Sequence, residues 1–395
     1  MESQQRIYPI GVQNFEKIRK DGYVYIDKTA LIYQLVSSGS YYFLSRPRRF
    51  GKSLLISTLE AYFQGKRELF EGLAMEKLEK NWVKRPVLHL DLNIGKYDTP
   101  DSLDKILDNA ISQWEAIYGT GIAEATLALR FKGILERAYK QTGERVAILI
   151  DEYDAPVMAA RDNGYYDEMV SFLKGWLTAA LKDGGQALAF ACLTGVQRIS
   201  KESVFSDLNN LVVNTSLNTK YDERYGFTED EVRALANYLG QAAHFPEMRQ
   251  WYDGYRFGSV DVYNPWSVLN YFDNDCECAP YWGNTSSNAP IAAMVRGGDA
   301  RLMRKVYGLL ETGGSVEAAL DLSVVFGDLD AKPEALWSLL YLAGYLTTDD
   351  TEQPNSKDVV RRLRIPNLEI ASLYRSEIID RFAQIAGGRD CLIDL

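Results

Sequence analysis

Residues 146–156 read VAILIDEYDAP, and the fold turns on how that stretch is read. Five apolar residues, rich in β-branched types, run without interruption into two adjacent carboxylates, Asp151 and Glu152. A short run with no polar alternation is the pattern of a strand covered on both faces, as in a parallel sheet. In open α/β sheets the carboxyl ends of such strands border the ligand crevice, so the acidic pair lies where charge can act on a bound molecule. An acidic strand-to-loop turn is the plainer alternative.

A second stretch, SRPRRFGKSLLIS at 45–57, asks to be read together with the first. It follows a strand candidate, YYFLS (41–45), and opens SLLISTLEAYFQ (53–64), whose apolar residues recur at helical spacing. Backbone amides that converge on a helix N-terminus form a positive concavity for phosphate oxygens. In such a loop the lysine neutralises the β- and γ-phosphates and the next hydroxyl ligates Mg²⁺. Gly51, Lys52 and Ser53 are placed for those roles, and the candidate nucleotide-binding set is Arg48, Arg49, Phe50, Gly51, Lys52, Ser53 and Leu54. The general pattern G-x-x-x-x-G-K-S calls for glycine at 46, where this chain has Arg46. Arginine does not readily take a positive φ, so the loop entry is expected to depart from the standard shape.

Asp151 suits a water-mediated hold on Mg²⁺, with Ser53 as the other candidate metal ligand, and Glu152 suits a base that activates the attacking water. Lys52 and the acidic pair are expected to converge on one triphosphate–magnesium ligand across neighbouring strand tips. Farther on, ALAFACLTG (187–195) is another buried strand, ending near Thr194, with Arg198 beyond it. Thr194 either senses the γ-phosphate or positions water, or it caps a helix or turn. Arg198 either adds charge near the phosphates or makes a surface ion pair. Arg48 and Arg49 suit phosphate through their guanidinium forks, or are solvated loop charges.

Strand candidates at 41–45, 86–92 (PVLHLDL), 145–151 and 187–195 alternate with helical patterns such as SLDKILDNAISQWEAIY and YYDEMVSFLKGWLTAAL. That alternation predicts an α/β class with a parallel sheet flanked by helices. From about residue 228 the pattern changes. TEDEVRALANYL offers Thr228 as a helix N-cap with acidic residues in the first turn. Later helices precede GYLTTDD (344–350) and VVRRLRIP (359–366), the helix-then-hairpin order of a winged helix. The expected division is an ATPase-type domain over 1–225, a helical junction over 226–295 and a winged-helix-like part over 296–395.

Composition narrows the choices. The chain has 395 residues, is 46% hydrophobic and 25% charged, and carries a net charge of −10. That balance argues against a broad grip on nucleic acid by the whole chain, though a local basic face is compatible with it. Two histidines, His89 and His244, make a histidine-based hydrolase or metal centre a poor reading, and His89 inside VLHLDL reads as a strand residue. Four scattered cysteines, of which Cys276 and Cys278 are spaced C-x-C with no second pair, predict neither a disulfide framework nor zinc. No run of about 18 uncharged apolar residues occurs, and the N-terminus lacks the layout of a secretion signal. A cytoplasmic protein with no membrane partner is expected.

The stretches YIDKTALI (25–32), FLSRPRRFGKSLL (43–55), VAILIDEYDAP, LTGVQRI (193–199), YGFTEDEV (225–232), WYDGYRFG (251–258), VYNPWSVLNYF (262–272), LLYLAGYLT (339–347) and RIPNLEI (364–370) together resemble the bacterial AAA-ATPase-like family. The resemblance runs in order over nearly the whole chain, and in that family the loop typically reads R-P-R-R-F-G-K-S. It implies an ASCE-type P-loop core, similar to archaeal-type and STAND-like ATPases, with ATP and Mg²⁺ as cofactors and a winged helix after the core. It also implies an extra strand between the P-loop strand and the Asp-Glu strand, for which PVLHLDL is the expected segment. Asp27, Lys28 and Thr29 match a family signature to which no role is assigned. Tyr252, Asp253, Tyr255 and Phe257 either pack a domain junction or touch a ligand. Members usually carry a PD-(D/E)XK nuclease-like domain at the C-terminus. Beyond residue 370 this chain has no Glu-x-Lys, so nuclease activity is not expected of it.

Two functions therefore compete: an ATPase whose nucleotide state moves the C-terminal parts, and a nucleotide-gated switch in which hydrolysis is incidental. In the second, the winged-helix region would touch DNA or a protein, and Arg361, Arg362 and Arg364 would form a small basic strip beside the wing. A solvated strand face is the plainer reading of those arginines. An oligomer that supplies an arginine from a neighbouring subunit is compatible with either.

Overall fold

The computed structural model describes residues 7–181, 185–196, 211–216, 225–283, 291, 300–321, 324, 335–350 and 360–386. Its described residues fall into two compact units. One spans Met1–Arg46, Gly51–Thr215 and Ser323–Phe326; the other spans Pro47–Phe50, Ser216–Leu322 and Gly327–Leu395. The tetrapeptide 47–50, inside the quoted glycine-lysine-serine stretch, therefore belongs to the second unit.

The first unit is built on a five-stranded parallel sheet of β1 (Tyr41–Ser45), β2 (Val87–Asp91), β3 (Val146–Asp151), β4 (Leu188–Gly195) and β5 (Leu211–Asn214), in the order β2-β3-β4-β1-β5. All six residues of β3 are buried, as its unbroken apolar run requires. Side chains alternate across the sheet. Phe43, Ile148, Ile150, Ala191 and Leu193 share a core with the helices Ser102–Tyr118, Leu127–Thr142, Ala155–Asp162 and Tyr166–Leu181. On the opposite face Phe190 meets Tyr42 and Phe63, the last residue of the helix Lys52–Phe63, with ring centroids 5.7 and 4.9 Å apart. Helices thus cover both faces, an architecture consistent with a P-loop-like fold.

Two sequence expectations change here. PVLHLDL does not lie between the loop strand and the acidic strand. It forms β2 at the sheet edge, and the position between β1 and β3 is taken by β4. The implied strand between β1 and β3 is therefore present but supplied by β4, and the two tips are one strand apart rather than neighbours. The physical reason is burial: LAFACLTG is buried at seven of its eight positions, whereas β2 has His89 half-buried and Asp91 exposed, as suits an edge. His89 is a strand residue, its Nδ1 2.8 Å from Glu60 Oε2. Burial opposes its charge, but the Glu60 carboxylate, together with Asp151 and Asp91, raises its pKa overall.

The second unit contains two antiparallel three-stranded sheets. One joins β6 (Phe227–Thr228), β7 (Tyr255–Phe257) and β8 (Val260–Tyr263) in the order β6-β8-β7. The other joins β9 (Val316–Ala319), β10 (Thr347–Thr348) and β11 (Val360–Arg364) in the order β10-β11-β9. Thr228 caps the helix Glu229–Leu239, as its sequence predicts, and Glu231 makes the cap reciprocal as a capping box. The expected pairing of 344–350 with 359–366 is present, Thr347 opposite Arg364 and Thr348 opposite Leu363. The arginines of β11 do not form one strip, because alternation splits them. Arg361 is buried and donates to the Asp350 carbonyl, Arg364 forks onto Asp349 at 2.9 and 2.7 Å, and Arg362 is exposed. Among the described residues no helix is long and apolar enough to cross a membrane.

Candidate functional site

The site is assembled at the carboxyl edge of the first unit's sheet, where strand register sets the level of each group. Leu44 of β1 pairs with Thr194 of β4, and Ile150 of β3 pairs with Leu193, so Asp151 ends its strand level with Thr194 and Leu44, one residue before Ser45 and Gly195. After β1 the chain reaches Gly51, which has φ of 82° and open space where a Cβ would stand. Gly51 is the N-cap of the helix Lys52–Phe63 and, lacking a side chain, offers no acceptor to the first-turn amides. The left-handed arginine of this loop is Arg49 (φ 67°), not Arg46.

Lys52 is only 3% exposed, and a buried ammonium must be compensated. Its Nζ lies 3.3 Å from Glu152 Oε1 and 3.2 Å from the Arg46 carbonyl oxygen. Glu152 has φ of 50°, a left-handed conformation that costs a non-glycine residue about 1–2 kcal/mol and is found where surroundings impose it, often at reactive sites. Its amide donates to Asp151 Oδ1 at 3.1 Å. Asp151 is 4% exposed and accepts from the hydroxyls of both Ser53 and Thr194. Burial raises its pKa, opposed by those two hydroxyls and by Lys52, and reinforced by Glu152. Lys52, Ser53, Asp151, Glu152 and Thr194 are thus brought together. The Thr194 hydroxyl joins β4 to Asp151.

The other predicted positions go elsewhere. Arg198 lies outside the described residues. Arg48 is exposed, Arg49 is half-buried with its guanidinium carbon 4.2 Å above the Trp266 ring centroid, and Phe50 is buried in the second unit. Asp27 and Thr29 staple the fold: Asp27 accepts from the amides of Thr29 and Ala74, and the Thr29 hydroxyl accepts from the Met75 amide. Tyr252 shares hydrogen bonds with Ala279 through its hydroxyl, while Tyr255 and Phe257 pack against Phe50.

Three buried groups were not legible as part of this edge. Arg46 is fully buried, with NH1 donating to the Ser45 carbonyl at 2.7 Å and NH2 to Asn214 Oδ1 at 2.7 Å, so it ties β1 to β5. Asp154 accepts from the Val196 amide at 3.0 Å and fixes the exit of β4. Gly195 has no room for a side chain, since a Cβ would come 2.5 Å from Asp154 Oδ1 and 2.8 Å from the Tyr153 ring. The only signal for Arg46 was negative, an arginine where the loop pattern wants glycine.

Comparison with known proteins adds a family and a relative. The model of the AAA-ATPase-like family, described as a predicted AAA-ATPase, matches residues 9–205. A protein of Azotobacter chroococcum mcd 1, described as "Uncharacterized protein in vnfD 5'region", is 33% identical over 380 residues, covering 95% of this chain and 70% of its own length. The identity to that relative extends well past the family match, into the second unit's sequence.

Proposed function

The chain belongs to the AAA-ATPase-like family, and from that premise we propose that it binds ATP with Mg²⁺ and hydrolyses it at the edge formed by Gly51–Ser53, Asp151–Glu152 and Thr194. The observation that carries this reading is the meeting of the Lys52 ammonium with Glu152 at 3.3 Å, beside an Asp151 carboxylate bonded to the Ser53 and Thr194 hydroxyls. The residues suit the ligand. An uncapped helix N-terminus with open space over Gly51 favours phosphate oxygens, and a carboxylate beside a hydroxyl is an oxygen donor set suited to magnesium.

In this reading Lys52 binds the β- and γ-phosphates, Ser53 and Asp151 hold the metal, and Thr194 keeps Asp151 oriented. Glu152 orients water and takes its proton at a carboxylate oxygen once phosphate draws Lys52 away. Bound magnesium would supply charge neutralisation on the phosphates. Arg48, Arg49, Phe50 and Leu54 complete the loop, and Arg198 is kept as a charge donor. The P-loop, ASCE-type assignment is supported by a sheet in which β4 separates β1 from β3. A winged-helix-like region over 296–395, after a junction at 226–295 and an ATPase domain at 1–225, is supported by the order helix Ala300–Leu310, β9, helix Ala335–Ala343, β10, β11 with β11 central.

A nucleotide-gated switch is the second reading. It is favoured by the Lys52–Glu152 ion pair itself, which leaves the base neutralised until ligand arrives. ADP or ATP would then be held with slow turnover, and a protein or DNA partner would read the state. ATP turnover by the wild type and by Glu152→Gln separates the two. Hydrolysis predicts a drop of about 10²–10⁴-fold, the usual contribution of a general base, with nucleotide binding retained; equal rates would remove Glu152 from the chemistry.

A further inference from the structure

We infer that Trp282 and Trp266 are positioning residues for the nucleotide loop, which they serve by clamping its tetrapeptide Pro47–Phe50; this rests on the nucleotide reading above. Each position of the tetrapeptide makes a contact within the second unit. Pro47 lies against Gly344, where a Cβ would come within 2.8 Å of the proline ring. The Arg48 carbonyl accepts from Trp282 Nε1–H at 3.2 Å. The Arg49 guanidinium stacks over Trp266 at 4.2 Å, and the Phe50 ring sits between Tyr255 and Phe257 at 4.9 and 5.0 Å.

Within this set Arg49 holds a left-handed backbone, φ 67°, one residue before buried Phe50. A non-glycine residue keeps such a conformation only where its neighbours over-determine it. Here the carbonyl before it, its own side chain and the ring after it are each gripped. The two tryptophans are in turn joined by one buried carboxylate. Glu369 accepts the Trp282 amide at 2.7 Å and the hydroxyl of Ser267, the residue after Trp266, at 2.8 and 3.0 Å. Gly51 follows Phe50 directly, so the clamp holds the residue that immediately precedes the proposed phosphate-binding amides. The geometry of the loop is therefore paid out of contacts distant in sequence, by 234 residues for the Arg48–Trp282 bond.

The test is Mg-ADP calorimetry on the full chain, with amide exchange of the 47–51 segment in the nucleotide-free protein. Trp282→Phe keeps the ring and deletes the donor to Arg48. We expect its affinity to fall about five-fold, the worth of one net hydrogen bond, with the rise in amide exchange concentrated in 47–51 beyond the general loss of stability that trimming a buried ring brings. In an Arg49→Gly background, where glycine takes positive φ freely, the same substitution should cost less than about two-fold, a coupling that general destabilisation does not produce. If Trp282→Phe fails to fold, Trp266→Leu carries the same comparison. Equal affinity of Trp282→Phe and wild type, or an equal loss in both backgrounds, overturns the clamp alone. A wild type that does not bind Mg-ADP overturns the nucleotide reading and the clamp with it.

Discussion

Two buried carboxylates, one in each unit, show how the same chemical group is put to different use. Asp151 is 4% exposed and Glu369 is 0% exposed, and burial raises the pKa of both, Glu369 to about 7. Glu369 is satisfied by neutral donors, the Trp282 amide and the Ser267 hydroxyl, inside a packed unit. Asp151 sits at a strand tip with Lys52 and Glu152 beside it and Ser53 at the start of a helix. The first arrangement joins distant segments. The second leaves a carboxylate next to a helix N-terminus, where the proposed nucleotide and magnesium would act on it. Donor type and place in the sheet separate structure from chemistry here, more than burial or pKa direction.

The strongest way to break this contrast is Lys52→Ala. Loss of a charge-assisted contact, about 1.5–3 kcal/mol, should weaken Mg-ADP binding by about 10–150-fold in calorimetry; unchanged affinity would leave the Asp151 edge as structural as Glu369. Asp151→Asn comes next. Its removal of a buried anion should raise the melting temperature of the nucleotide-free chain while abolishing the Mg²⁺ dependence of binding, a loss of about ten-fold in affinity where each 1.4 kcal/mol is a factor of ten.

Glu369→Gln should share only the first of those effects. The folded pKa of Glu369 is raised to about 7 from an ordinary 4.5, so the folded state binds the extra proton between those values. Its contribution to stability is full below about pH 4.5 and is lost as pH rises through 7. Denaturant melts at pH 5 and pH 8 should show the variant gaining about 1–2 kcal/mol on wild type at the higher pH, a part of the 1.36 kcal/mol per unit allowed by linkage. A difference between the two proteins that does not change with pH would show that Glu369 keeps an ordinary pKa. The smallest effect is expected for Arg362→Ala, below about 0.5 kcal/mol in the same melts. A marked fall in salt-dependent DNA binding by that variant would instead restore the basic face that alternation in β11 divides.

Much of the site was readable because its signals are local. Gly51-Lys52-Ser53 after a short strand, and Asp151-Glu152 after five apolar residues, each declare themselves within about a dozen positions, as does the N-cap Thr228. Thr194 was readable as a residue at a strand end but not as a donor to Asp151. Arg48, Arg49 and Phe50 were readable as loop residues, while their grip on Trp282, Trp266, Tyr255 and Phe257 was not. Arg46 looked like a departure from a pattern and is a buried tie between strands.

Local periodicity was therefore enough for the α/β class, the acidic strand end and the glycine-lysine-serine turn, since burial on two faces leaves an unbroken apolar run wherever it occurs. Strand order, the placement of β4 between β1 and β3, and the partners of Arg46 and Arg48 came only from the folded chain. Those contacts join residues 43 apart (Asp151–Thr194), 168 apart (Arg46–Asn214) and 234 apart (Arg48–Trp282). Pairing over such separations is decided by which surfaces bury one another, and no short stretch of one segment encodes it.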